Sequence, residues 1–143
     1  MRKYREKKIF LNNNHSKYCI VRVFYKESEM RAFYKRHCEE RGLPDPDHFQ
    51  IKGVSLHYEK ISGRKLSPET GMVLFSLENC GAGVVTHELL HAILWAHKHK
   101  ANKQQYPIVI KDMKEEEQIL SNHTYAVMQF YRWYWKLLTQ MGQ

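Results

Sequence analysis

The stretch from Val84 to Lys100 reads VVTHELLHAILWAHKHK, and nothing else in the chain restricts the fold as much. Val84, Val85, Leu89, Ala92, Ile93 and Ala96 recur at three- and four-residue spacing, which predicts a helix from Val84 to about His99 with one buried face. On that helix His87 and His91 are four apart, so both imidazoles lie on one side and can meet at one point. Two imidazoles so placed suit a zinc ion. Glu88, beside the first of them, can reach a metal-bound water without itself ligating. Zinc lowers the pKa of such a water toward ~7 and the carboxylate takes its proton, which is the chemistry of peptide-bond hydrolysis.

Around this helix the chain reads as strand, helix, strand, strand, helix, helix. Tyr18 to Tyr25 is β-branched and aromatic and reads as a strand. Ser28 is the expected N-cap of a helix that carries Met30, Phe33, Tyr34, His37 and Cys38 on one face, with Gly42 and Pro44 ending it. Pro44 to Asp47 reads as a loop, Ile51 to Lys60 as a strand, Ile61 to Thr70 as a turn and Gly71 to Leu77 as a third strand. Asn79 to Gly83 breaks that strand. Ala101 to Pro107 connects to a long last helix, capped by Asp112 and running through Ala126, Phe130, Tyr134 and Leu137. The expected architecture is one α+β domain over 1–143, with a small mixed sheet of about three strands packed on the histidine helix and the long C-terminal helix.

Composition narrows the class. The 43% apolar and 27% charged content is that of a globular chain. No apolar run approaches the ~20 residues that span a bilayer, and the first residues lack the ~7–15 residue apolar core of a secretory signal. Cys19, Cys38 and Cys80 are odd in number and widely spaced, which fits buried free thiols and a cytoplasmic location. The net charge is +8, and residues 1–41 hold 12 Lys/Arg against 5 Asp/Glu, with Lys98, Lys100 and Lys103 as a second basic patch. Such asymmetry marks either a solvated surface or a nucleic-acid partner. The cluster Tyr131-Arg132-Trp133-Tyr134-Trp135 can stack on bases, or serve as core and interface at helical spacing.

The third metal ligand has several candidates. His97 stands six residues after His91, but six residues of continuing helix turn it by ~240° away from the pair. It and His99 read instead as a basic, solvent-facing helix end. A carboxylate in the first turn of the last helix is a better source, and Glu116 and Glu117 are both open. Glu117 is preferred because Ser121, one turn later, can support a ligand by hydrogen bonding. Acidic residues such as Glu115 also suit a helix start in their own right. His123 would make a site of three histidines.

Gly71 to Leu77, a glycine turn, Thr86-His87-Glu88-Leu89-Leu90-His91-Ala92 and then Glu116-Glu117 opening a later helix resemble the small gluzincin-type zinc peptidases, the compact minigluzincin-like domains of phages and mobile elements. The likeness covers roughly residues 71–130. It implies a zincin-like fold, a Zn2+ cofactor and a protein or peptide substrate. His87, His91 and Glu117 would be ligands and Glu88 the general base. The strand from Met72 to Leu77 would be the edge strand to which an extended peptide adds. A second resemblance, carried by His-Glu-Leu-Leu-His-Ala-Ile-Leu-Trp, is to the SprT-like proteases that act on proteins attached to DNA, with His123 as third ligand. A non-enzymatic alternative is a zinc-holding module whose basic N-terminal region binds nucleic acid.

Overall fold

The computed structural model describes residues 2–43, 52–58, 61–62, 65–98 and 110–142. Its elements are β1 (Tyr4–Phe10), β2 (Tyr18–Phe24), α1 (Glu27–Glu40), β3 (Val54–His57), a short antiparallel pair of β4 (Ile61–Ser62) and β5 (Lys65–Leu66), β6 (Glu69–Ser76), α2 (Ala82–Lys98) and α3 (Met113–Gln140). The main sheet has the order β1-β2-β6-β3, with β2 parallel to β6 and the outer pairs antiparallel. The α+β reading stands, with four strands in the main sheet where about three were expected.

Strand alternation divides the core in two. Cys19, Val21 and Val23 of β2 and Val73 and Phe75 of β6 face α2 and α3, joining Leu89, Ile93, Ile119, Ala126 and Phe130. Phe24, Leu74, Val54 and Leu56 face the other way and pack on Met30 of α1. Helices therefore cover both faces of the sheet. No helix among the described residues is long and apolar enough to cross a membrane. All three cysteines are free and buried, and burial pushes the thiols of Cys19 and Cys80 up to about 12.

The strand missed by sequence is β1. Its centre is Arg5-Glu6-Lys7-Lys8, all exposed, and only Ile9 enters the core. Hydrophobic alternation is absent, so pairing holds it in place. Glu6 lies opposite Arg22 in register and forms an ion pair with it, while the amide of Gln129 on α3 bonds both the N–H and the C=O of Phe10.

Helix ends differ from expectation in two places. The N-cap of α1 is Lys26, which makes no side-chain cap, in place of Ser28. The carboxylate of Glu78, just after β6, accepts from the Glu27 N–H at 3.0 Å and serves that end from a distant segment. At the other end Gly42 adopts φ +66°. Leu43 N–H bonds Cys38 C=O and Gly42 N–H bonds Glu39 C=O, as a glycine-terminated helix requires. Pro44 and the loop to Asp47, like the connection from Ala101 to Pro107, lie outside the described residues. The second difference is that α2 begins at Ala82, two residues before Val84. Asp112 caps α3 as expected, accepting from Glu115 N–H at 2.9 Å.

Candidate functional site

His87 and His91 sit on the side of α2 opposite Leu89, which is fully buried, so both are exposed. Their Nε2 atoms are 3.2 Å apart, with ring planes at 80°. Two nitrogens on one tetrahedral zinc at ~2.0–2.1 Å stand roughly 3.3–3.4 Å apart, so the pair has the bite of a zinc chelate. Glu88 turns toward the sheet. Its side chain is 14% exposed against 67% for His87, and its Oε1 lies 3.9 Å from His87 Nε2.

A cleft of about 320 Å³ opens beside this group, lined by Tyr34, Gly53, Val54, Ser55, His57, Glu88 and His91. Its far wall is β3, which corrects one expectation. The strand from Met72 to Leu77 is not an edge: β6 is paired on both sides, and β3 is the outer strand beside α2 among the described residues. Alternation sorts the β3 side chains between the two faces of the sheet. Val54 and Leu56 point toward α1, and Ser55 and His57 point toward α2. Ser55 Oγ donates to the Glu88 carbonyl at 2.8 Å and ties the edge strand to the motif helix. His57 stacks on Trp95 with centroids 4.8 Å apart. The polar pair Ser55 and His57 at a spacing of two was the sequence signal for this wall. Tyr34, across the cleft on α1, gave none. Burial holds the Tyr34 phenol above its ordinary value, aided by Cys38 and by the Glu88 charge.

Gly53 lets the two walls meet. A Cβ there would lie 2.9 Å from Val84 Cγ1, 3.0 Å from Glu88 Cγ and 3.3 Å from Phe75 Cδ1. Phe75 is fully buried and cannot yield. Gly53→Ala is expected to destabilise by roughly 1–3 kcal/mol through overpacking. Gly83→Ala, with open space around its Cβ, should be neutral or gain up to ~1 kcal/mol because it removes a glycine from a helix. Urea unfolding of the two variants side by side checks this. Equal stabilities would mean that β3 does not approach α2 at Gly53.

The remaining candidates are placed elsewhere. His97 is not a solvent-facing end residue. It is largely covered, with Nε2 2.8 Å from Glu115 Oε1. That bond, with a second from Lys111 N–H, holds the Glu115 carboxyl below its usual range. His123 Nε2 is 2.9 Å from the Thr86 carbonyl. A carbonyl only accepts, so this nitrogen carries the proton and braces α3 against the second turn of α2. Glu116 and Glu117 are exposed on the first turns of α3. Among the described residues no three His, Cys, Asp or Glu side chains are grouped to hold a metal ion, so Glu117 is not joined to the histidine pair. His99 lies outside the described residues, as do Lys100 and Lys103. Comparison with known proteins adds nothing to this geometry: no family model, no curated protein and no solved structure matches the chain.

Proposed function

We propose that the chain is a zinc-dependent peptidase of gluzincin type, with His87 and His91 holding the metal and Glu88 as general base. The observation that carries this reading is the 3.2 Å Nε2 pair, set beside a half-buried carboxylate at the mouth of a cleft. β3 has a sheet partner on one side only among the described residues. As the outer strand among the described residues, it suits an extended peptide that adds as a further strand and crosses the cleft in front of Glu88. Bound zinc would supply an acidified water and a polarised scissile carbonyl. Glu88 takes the proton from the attacking water and passes it to the departing amine. Ser55 holds the backbone at Glu88, and the missing Cβ at Gly53 leaves room for the Glu88 side chain beside the start of β3. The third ligand implied by the resemblance, Glu117, stands outside this group, and the reading takes no step through it.

Metal content by mass spectrometry on tag-free protein tests the reading. About one zinc per chain is expected in the wild type, lost in His87→Ala and in His91→Ala. A wild type that takes up no zinc when supplied with it would sink the proposal. The same assay sorts the third ligand. Zinc lost in Glu117→Ala means that the first turn of α3 turns onto the pair when metal binds. Zinc kept there and lost in His57→Ala assigns the position to the cleft wall. Loss in His123→Ala alone favours the three-histidine, SprT-like form.

A further inference from the structure

The basic N-terminal strand and the acid-free half of α3 are remote in sequence and adjacent in space. Gln129 bonds Phe10 through both ends of its amide, and Tyr125 OH lies 2.7 Å from His15 Nε2 in the β1–β2 turn. These two contacts fix the direction of travel. From Tyr125 to Gln129 the helix moves from the turn onto the strand, so its next turns continue beside the body of β1. Arg132 and Lys136 follow Gln129 by three and seven residues, on the same flank of the helix. Arg5 and Lys7 share the strand face of Ile9, which enters the core beneath α3, so they project toward the same side. All four cations are exposed. Between Gln118 and Gln140 the helix carries no Asp or Glu. The one acid of β1, Glu6, is neutralised by Arg22. Among the described residues, the result is a seam of one charge sign along the outer strand β1.

The end of this seam is aromatic. The His15 ring stacks on Phe10 at a centroid distance of 3.9 Å and an interplanar angle of 12°. Tyr125 lies nearly coplanar with His15, joined to it edge to edge through their hydrogen bond, with centroids 6.0 Å apart. His15 is exposed and held at φ 59°, a backbone conformation that side-chain-bearing residues adopt rarely. Cations in a row suit phosphates, and exposed ring faces suit unpaired bases. We propose that the β1–α3 seam binds single-stranded nucleic acid, with Arg5, Lys7, Arg132 and Lys136 along the backbone and the His15–Tyr125 end under the bases. This surface is separate from the histidine cleft, and its test needs neither zinc nor activity.

The test is fluorescence anisotropy with a labelled 20-nucleotide oligothymidine and the full chain across a salt series. About four phosphate contacts give a slope near −3 in log K against log salt, a loss of roughly fifty-fold between 50 and 200 mM. Arg132→Glu with Lys136→Glu, and separately Arg5→Glu with Lys7→Glu, are expected to weaken binding at least tenfold and to flatten the slope. Arg36→Glu with Lys52→Glu removes the same net charge from exposed sites elsewhere and should change binding less than threefold. Thermal melts confirm that each variant is folded. An abasic strand of equal length should bind about tenfold more weakly than oligothymidine. No binding at 50 mM salt, an equal loss in the control pair, or equal binding of the abasic strand or a duplex would each overturn the proposal.

Discussion

Glu88→Gln is expected to keep its zinc and lose hydrolysis. Glutamine preserves the length and much of the packing of Glu88 against Gly53, but it cannot accept a proton from water. A positioned general base contributes ~10²–10⁴-fold, so the rate should fall by about that factor. The substrate probe is a mixture of random-sequence synthetic peptides, with new termini read by mass spectrometry. Metal content, measured on the same preparation, should match the wild type, because Glu88 stands beside the pair and its Oε1 is 3.9 Å from His87 Nε2. Zinc retained with cleavage abolished is the signature of a base that does not ligate. Cleavage at the wild-type rate would end the mechanism. A wild type that binds zinc and cleaves none of the peptides would leave the site as a metal-holding module.

Phe130→Ala is expected to give the largest loss of stability of any single change on α3. Phe130 is fully buried. It packs on Phe75 from β6 at a centroid distance of 5.4 Å, and on Tyr131, Trp133 and Tyr134 of its own helix. Truncating it leaves a cavity in the layer that joins α3 to the sheet, at a cost of about 3–5 kcal/mol. For a chain of this size that is a fall of roughly 10–15 °C in Tm. Trp135 lies on the same helix but is 61% exposed, and Trp135→Ala should stay within ~0.5 kcal/mol if only solvent faces it. Urea unfolding of both variants reads the contrast. A loss below ~1 kcal/mol in Phe130→Ala would mean that the sheet and α3 do not close around this ring.

The parts legible in the sequence share a cause. The faces of α1, α2 and α3 could be read because a buried stripe repeats every three or four residues, and Met30, Leu89, Ile93, Ala126 and Phe130 are all buried. Asp112 could be read as a cap because its partner is three residues away. The pairing of His87 with His91 follows from one turn of one helix. Each depends on neighbours along the chain. Local spacing misled at Ser28, because the end of α1 is served by Glu78 from beyond β6. It misled again at His97, whose partner Glu115 comes from the next helix.

Taken alone, then, the sequence determined the helical faces, the α+β class and the placing of His87, Glu88 and His91 within about one turn of one helix, since short-range periodicity decides all of these. Only the tertiary structure decided that, among the described residues, β3 and not β6 is the outer strand of the sheet, that Ser55, His57 and Tyr34 line the cleft with Glu88, and that α3 meets the end of β1 through Gln129 and Phe10. Strand order, and the meeting of residues more than a hundred positions apart, depend on which apolar faces pack together. No local pattern carries that choice.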